Sequence, residues 1–321
     1  MIKMNNDINF KNGNYAKKKS YFLRRLIKLS LIVFSLAALI FLVFFIFSKI
    51  SSNTISIRDI KKAWEQYDYE KVYDLSSKYL QKDSYNNSAL TYYGYACFFL
   101  SQSQTDTQTA QQYLDESINK MRIALYSANS KLKPQLEYML GRAYFFKNTI
   151  TSYYYADLAV KYINLAKEDG FISPDIPKLL GLSYASLGMT MESIAAFSEA
   201  LLEDESDFLL LSIAEQYYNA KELNISEQYL FRIVQNSDNE DIILKSRILL
   251  GNIYIEKESY EEAMEEFNKA LELNPESADA HYAIGLIYEK QGNIVKARAE
   301  WRTALKLMPS HQLSRAKLSE S

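Results

Sequence analysis

Residues that build catalytic and metal sites, or that interrupt helices, are scarce in this chain. Its 321 residues include one cysteine, Cys97, two histidines, nine glycines and five prolines. A single cysteine excludes an internal disulfide and a cysteine-based zinc site, and two histidines leave little for metal or acid–base chemistry. Glycine and proline are too few for the many turns of a large α/β or all-β protein. We therefore predict a mostly helical protein that needs no cofactor and no metal ion.

Positive charge is concentrated at the N-terminus. Residues 1–28 hold eight Lys or Arg and one acidic residue, a net charge of +7, while the remaining residues sum to −9. The body therefore has no basic stripe of the kind that binds nucleic acid. We predict a basic cytoplasmic head at residues 1–28 and no nucleic-acid partner.

An uncharged run of nineteen residues, Leu29 to Phe47, follows the head. At about 1.5 Å per residue, a helix of this length crosses the roughly 30 Å hydrocarbon core of a bilayer. A cleaved signal peptide is the rival interpretation, but its apolar core usually has about 7 to 15 residues and precedes small residues at a cleavage site. Residues 48–52 show no such pattern. We predict a retained transmembrane helix over residues 29–48, with residues 29–47 in the lipid bilayer.

The basic flank also predicts the orientation of the protein. Cytoplasmic flanks of membrane helices have an excess of Lys and Arg. The N-terminus should therefore stay in the cytoplasm, and a short linker, residues 49–56, should lead to a body on the other side of the membrane. In a Gram-negative bacterium that body is periplasmic.

The last third of the chain repeats a residue pattern at a spacing of 34. One unit has Leu250, Gly251, Tyr254, Ala263, Phe267, Ala270 and Pro275, and the next has Ile284, Gly285, Tyr288, Ala297, Trp301, Ala304 and Pro309. These residues resemble positions 7, 8, 11, 20, 24, 27 and 32 of the tetratricopeptide repeat (TPR). Small residues at positions 8, 20 and 27 let two helices approach closely, and large ones at 7, 11 and 24 fill the space beside them.

The same frame extends towards the N-terminus with decreasing fidelity. It gives about seven units, which begin near residues 53, 87, 134, 174, 207, 244 and 278. The resemblance implies an all-α fold, an α-solenoid of about seven TPR-like hairpins over residues 57–311, because one hairpin cannot bury its apolar face alone. A short polar C-terminal tail, residues 312–321, is placed to cap the open end.

In the TPR family the first helix of each unit lines a concave groove, and positions 2, 5, 9, 12 and 13 commonly face it. The resemblance places a partner-binding surface on the second and third units, at Tyr92, Tyr95, Phe98, Phe99, Tyr138, Arg142 and Phe145. Clustered Tyr and Phe with one Arg match the composition of protein-binding hot spots. The alternative is that these rings form the core between repeats. The last units offer a more polar wall that includes Asp279, Tyr282 and Glu289.

These features predict a membrane-anchored protein–protein interaction scaffold. Its superhelix would bind partner proteins on the extracytoplasmic side and assemble or stabilise an envelope, secretion or flagellar-motor complex. The alternative function is a periplasmic holdase or translocon-accessory chaperone that binds unfolded chains. Chaperone-tail recognition needs several Lys, Arg and Asn on three consecutive first helices, and an extended peptide or a partner helix in an aromatic groove fits this sequence better.

Two short motifs imitate part of an enzyme site. Ser117-x-x-Lys120 and Ser237-Asp238-Asn239 match two of the three motifs of serine β-lactamases and penicillin-binding proteins, but the K-T-G motif is absent. The repeat frame places the first motif on a second helix and the other in a loop between repeats. We therefore expect no enzyme and no small-molecule substrate.

Overall fold

The computed structural model describes residues 34–43, 55–203 and 205–320. Regular structure in these ranges consists of sixteen α-helices, with no strand. Helix α1 spans residues 34–43. The others are α2 (Ile57–Glu65), α3 (Tyr69–Leu80), α4 (Asn87–Gln102), α5 (Thr107–Tyr126), α6 (Lys133–Ile150), α7 (Ala156–Glu168), α8 (Ile176–Ser186), α9 (Thr190–Glu203), α10 (Asp207–Asn219), α11 (Leu223–Asn236), α12 (Glu240–Glu256), α13 (Tyr260–Leu273), α14 (Ala278–Lys290), α15 (Ile294–Leu307) and α16 (Gln312–Glu320). The predicted all-α fold class is confirmed.

Helix α1 covers the described part of the predicted membrane anchor. Its ten residues are exposed. The predicted head, the rest of the predicted span 29–48 and most of the linker lie outside the described residues. Within the ranges that the structure describes, none of the helices is both long enough and apolar enough to traverse a bilayer. The anchor therefore stays a prediction.

The protein divides within α2 into two compact units, Met1–Ile60 and Lys61–Ser321. In the second unit the helices from α4 to α15 pair in order as antiparallel hairpins, and each hairpin contacts the next one in sequence. First helices of neighbouring hairpins also touch, α4 with α6, α6 with α8, α10 with α12 and α12 with α14. This unit is an α-solenoid, in which each repeat is stabilised by its neighbours.

Polar residues define where many of these helices begin. Side chains of Asp68, Asn86, Asp106, Ser206, Asn239, Ser277 and Asn293 each accept a hydrogen bond from a backbone N–H in the first turn of the following helix. Each such bond satisfies a donor that has no partner inside the helix. Pro134 and Pro177 lie in the first turns of α6 and α8, where a missing N–H loses no hydrogen bond.

Close contact between paired helices depends on glycine at position 8. A Cβ atom added at Gly94, Gly141, Gly181, Gly251 or Gly285 would lie 2.6 Å or less from a large side chain of the second helix, respectively Met121, Ile163, Phe197, Phe267 and Trp301. All five of these partners occupy position 24. The predicted pairing of small and large residues is therefore confirmed in five hairpins. Where position 20 is serine, its hydroxyl adds a hydrogen bond to the position-8 carbonyl, as from Ser193 Oγ to Gly181 O at 2.8 Å.

The turns inside five of the hairpins have a left-handed residue at position 15. Gly188 and Gly292 have φ values of 70° and 79° there, and Tyr67, Lys221 and Glu258 adopt the same conformation with φ of 56°, 63° and 60°. A side chain is disfavoured in this region because its Cβ approaches the backbone. Tyr67 falls at position 15 of the least regular unit, so the turn of the first hairpin also follows the repeat frame.

Glu258 should be replaceable by glycine with a gain in stability. Its side chain is exposed, and relief of the left-handed strain outweighs the added freedom of the unfolded state, so Glu258→Gly should raise the free energy of unfolding by about 0.5–1 kcal/mol. The reverse change at the equivalent turn, Gly292→Glu, should lower it by a similar amount. Urea unfolding monitored by circular dichroism measures both. Changes of the same sign in the two variants would contradict this account.

The predicted polar tail forms a helix. α16 (Gln312–Glu320) packs on α15. His311 starts it, because its Nδ1 accepts the Ser314 N–H at 3.1 Å while its Nε2 lies 3.1 Å from Asp279 Oδ1. Lys317 then pairs with Glu289 at 2.7 Å. The end of the solenoid is therefore covered by a helix that the repeat pattern does not include.

Candidate functional site

Two neighbouring first helices, α4 and α6, hold the residues predicted to bind a partner. The structure leaves five of them partly exposed, Tyr92, Tyr95, Phe99, Arg142 and Phe145, and buries two, Phe98 and Tyr138. Phe98 has 0% of its surface exposed. Its ring is therefore part of the core between repeats, as the alternative interpretation proposes for the whole set, and it is not available to a partner.

Trp64 on α2 is the centre of a ring cluster. Its indole lies 5.5 Å from Tyr69 and 5.7–5.8 Å from three rings of α4, those of Tyr92, Tyr95 and Phe99, measured between centroids. Tyr69 and Phe99 are stacked at 4.6 Å with an interplanar angle of 10°. Such ring pairs add favourable contact energy to the burial of their surface. Three helices therefore hold the exposed rings in one fixed arrangement.

The cluster continues onto α6 through the buried Phe98. Phe98 contacts Phe99 at 5.3 Å and Phe146 at 5.5 Å, and Phe146 contacts Phe145 at 5.6 Å. We call the partly exposed rings on these helices the aromatic surface, which consists of Trp64, Tyr69, Tyr92, Tyr95, Phe99, Phe145 and Phe146. Ring contacts thus join its two ends without a break.

Arg142 lies against two rings and forms no ion pair within the described part of the chain. Its guanidinium carbon is 5.0 Å from the centroid of Phe98 and 5.6 Å from that of Tyr138. The Nε atom is buried and has no hydrogen-bond partner among the described residues. Cation–π contact with two rings partly compensates for the loss of water.

Tyr95 has a similar unsatisfied polar atom. Its hydroxyl is buried without a hydrogen-bond partner among the described residues. Burial, and then the neighbouring Tyr92, raise the pKa of Tyr95 above its ordinary value. Because the neutral phenol persists, this hydroxyl keeps its proton and can donate a hydrogen bond.

Tyr138 fixes the loop between the third and fourth hairpins. Its ring stacks on Phe171 at 4.5 Å, and its hydroxyl donates to the Asp175 carboxylate at 2.6–2.7 Å. The same loop lines a cavity of about 320 Å³ together with parts of α7, α8 and α9. Tyr138 therefore contacts both Arg142 and this loop, and its role is structural.

Glu137 is a buried carboxyl beside this site, with 2% of its surface exposed. Its Oε1 lies 3.6 Å from Lys133 Nζ, while its Oε2 has no hydrogen-bond partner among the described residues. Burial raises the pKa of Glu137 above its usual value of 4.5. The folded state thus favours the neutral acid, so the contribution of Glu137 to stability falls as the pH rises above about 4.5.

Glu137→Gln should therefore stabilise the protein at neutral pH. The amide keeps the shape of the side chain, removes a buried charge and leaves Lys133 paired with Asp169 at 2.5 Å. We expect the free energy of unfolding to rise by about 1 kcal/mol at pH 7 and to change little near pH 4. Urea unfolding at both pH values measures this, with the exposed Glu272→Gln as control. A loss of stability at pH 7 would mean that the pair with Lys133 outweighs desolvation.

The motifs that imitate an enzyme have packing and capping roles. Ser117 is buried, and its hydroxyl donates to Gly94 O at 2.7 Å. Ser237 donates to Asp207 at 2.5 Å, and Asn239 caps α12. Cys97 is fully buried, and burial raises the pKa of its thiol. A buried neutral thiol is a poor nucleophile.

The predicted polar wall of the last units is occupied by the C-terminal helix. Glu289 pairs with Lys317, Asp279 with His311, and the Tyr282 ring lies 5.3 Å from that of His311. These side chains stabilise the end of the solenoid. The aromatic surface on α2, α3, α4 and α6 is therefore the stronger candidate for a binding site.

Comparisons with known proteins agree with this architecture. Residues 251–292 match the model of the TPR repeat, and residues 278–311 match that of the tetratricopeptide repeat. A TPR repeat-containing protein of Methanocaldococcus jannaschii is 25% identical over 254 residues, which are 77% of this chain and 41% of that protein. The present protein thus spans about two fifths of the length of this relative.

A solved structure shows the same fold over most of the protein. The crystal structure of the C-terminal part of a TPR repeat-containing protein from Cytophaga hutchinsonii superimposes with a TM-score of 0.58 and 14% identity. The match covers 82% of this chain and 99% of the other. The protein therefore has an α-solenoid fold, and its residues 251–311 match tetratricopeptide-repeat models.

Proposed function

We propose that this protein is a membrane-anchored scaffold that binds a protein partner through the aromatic surface. The observation that carries the proposal is the ring cluster around Trp64, which has four ring neighbours. Large aromatic residues and Arg are enriched where binding energy concentrates in protein interfaces. In this surface the rings lie together on α2, α3, α4 and α6.

Binding by this surface needs little rearrangement. The rings already contact one another at 4.6–5.8 Å, so their side chains lose little conformational freedom when a partner binds. Preorganisation of this kind increases affinity without additional contacts. We propose binding without chemical turnover as the mechanism.

The sequence of the N-terminus supports a location for this activity. An apolar segment over residues 29–47, preceded by a basic head, would hold the solenoid close to a bilayer on its extracytoplasmic side. Attachment to a membrane raises the effective concentration of partners in or near it. Assembly or stabilisation of an envelope, secretion or flagellar-motor complex is the role that fits such a protein.

The location can be tested by thiol labelling of Tyr126→Cys. Tyr126 is 97% exposed, whereas the one native thiol, Cys97, is buried and should not react. A membrane-impermeant maleimide should label the variant on cells, or on spheroplasts where an outer membrane is present. Labelling only after the membrane is permeabilised would contradict the extracytoplasmic location.

Affinity purification from native membranes, followed by quantitative mass spectrometry, tests the function itself. The full-length protein should recover one partner or a small set at a fixed ratio, and Phe99→Ala should lose it. Tyr126→Ala, on an exposed helix end away from the rings, should retain it. A heterogeneous pool of clients would favour the holdase instead, and recovery unaffected by Phe99→Ala would contradict the assignment of the surface.

A further inference from the structure

Arg142 on α6 lies against the rings of Phe98 and Tyr138 and forms no ion pair with the residues that the structure describes. We propose that the partner segment presents a carboxylate to Arg142 and apolar side chains to the surrounding rings; this inference rests on the proposed function of the aromatic surface. The segment thus contains an Asp or a Glu whose side chain supplies the carboxylate, flanked by aromatic or aliphatic residues.

The surroundings of Arg142 differ from those of comparable cations. Arg247 on α12 is also mostly buried, and it pairs with Glu266 at 2.8 Å. Lys147 on α6 pairs with Asp115. Arg142 has no ion pair and no hydrogen bond among the described residues, only the rings of Phe98 and Tyr138. Arg142 is partly buried, and a carboxylate from a partner would replace the water that its guanidinium loses on binding.

Tyr95 offers a second donor in register with Arg142. The two residues occupy position 9 of consecutive units, on first helices α4 and α6 that touch each other. Both present a buried donor with no partner among the described residues, the Tyr95 hydroxyl and the Arg142 Nε. A ligand that contacts the guanidinium must bring acceptor oxygens, because a guanidinium can only donate.

The rings define the rest of the ligand. Phe99 and Phe146 each contact Phe98, the ring against which Arg142 lies, and Phe145 contacts Phe146. A nucleic acid or a phosphate-rich ligand would need several cations, whereas Arg142 stands alone among these rings. A carboxylate on an apolar peptide matches both the single charge and the aromatic walls.

Selection from a random dodecapeptide phage library on the immobilised full-length protein tests the proposal. Recovered peptides should contain Asp or Glu next to aromatic or aliphatic residues. For the best binder, fluorescence polarisation should show at least about a tenfold loss of affinity when Glu is replaced by Gln, the size typical of a charge-assisted hydrogen bond. Amidation of the peptide C-terminus should leave the affinity unchanged, and a loss of about tenfold on amidation alone would overturn the side-chain carboxylate.

Variants of the protein assign this preference to Arg142. The affinities of Arg142→Gln for the Glu and Gln forms of the peptide should differ by no more than about twofold. Arg302 is an exposed arginine on α15, and Arg302→Gln should keep the full difference in affinity. Arg142→Lys should retain part of the preference because it keeps the charge. Melting curves of all variants identify any that are unfolded.

The outcomes separate this inference from the function on which it rests. Peptides that bind, compete with one another and are lost in Phe99→Ala, but show no acidic preference, would overturn the carboxylate and leave the aromatic surface intact. An acidic preference that persists in Arg142→Gln would also overturn it. Absence of any binder that depends on Phe99 would count against the proposed function as well.

Discussion

Replacing Trp301 by alanine is expected to lower the free energy of unfolding by about 3–5 kcal/mol, since that is the range for fully buried large aromatic side chains. Trp301 is 1% exposed, and its Nε1 donates to Tyr282 O at 3.2 Å. Its indole lies against Gly285, and Lys317 of α16 lies over the ring at 5.7 Å. The indole therefore joins α14, α15 and α16, and alanine would leave a cavity between all three.

The equivalent residue of the preceding hairpin provides a matched control. Phe267 occupies position 24 there and packs on Gly251 as Trp301 packs on Gly285. The change in packing caused by Trp301→Phe should consequently lower the free energy of unfolding by less than about 1.5 kcal/mol. Loss of the indole hydrogen bond adds a separate, smaller decrease. Chemical denaturation measures the total effect, and hydrogen exchange should show the loss confined to α14–α16, because repeats contact mainly their neighbours. Equal losses in the two variants would contradict the packing described.

Replacing Trp64 by alanine is expected to reduce partner binding by at least about thirtyfold, the effect of a hot spot of roughly 2 kcal/mol. The indole contacts Tyr69, Tyr92, Tyr95 and Phe99. Its removal would release these rings from their common arrangement. The preorganisation on which the proposed binding depends would then be lost.

Three comparisons separate binding from folding at Trp64. Trp64→Phe keeps a ring in the cluster and should retain most of the affinity. Tyr126→Ala removes a large aromatic side chain that is exposed and outside the cluster, and it should bind normally. Circular dichroism should show that Trp64→Ala keeps its helical content, since α4–α16 pack without this residue. Normal binding by Trp64→Ala would exclude the cluster as the partner site.

The sequence specifies the hairpins well because their packing is local. Positions 8 and 24 lie in the same unit. Once the 34-residue repeat is recognised, it therefore predicts that Gly251 packs against Phe267 and Gly285 against Trp301, as observed. The same frame places Tyr67 at the left-handed turn of the first unit. Contacts inside a unit recur with the period of the sequence, and a periodic pattern can therefore predict them.

The site depends on contacts between units, and the sequence predicts these only in part. Position 12 is exposed to partners at Phe145 but fully buried at Phe98, because Phe146 and Arg142 of the following unit cover Phe98. The predicted site leaves out Trp64, because the first unit departs most from the repeat pattern. The frame that begins at residue 53 nevertheless puts Trp64 at position 12, equivalent to Phe98 and Phe145, and this position is the signal that could have pointed to it.

Photo-crosslinking at Phe99 in native membranes tests the central claim most directly. With p-benzoylphenylalanine at position 99, the full-length protein should give one discrete adduct with a partner protein, because Phe99 lies in the middle of the aromatic surface. The same group at Leu202, which is highly exposed on the second helix α9, should give none. Adducts from Leu202 and not from Phe99, or no adduct from either position, would contradict the account.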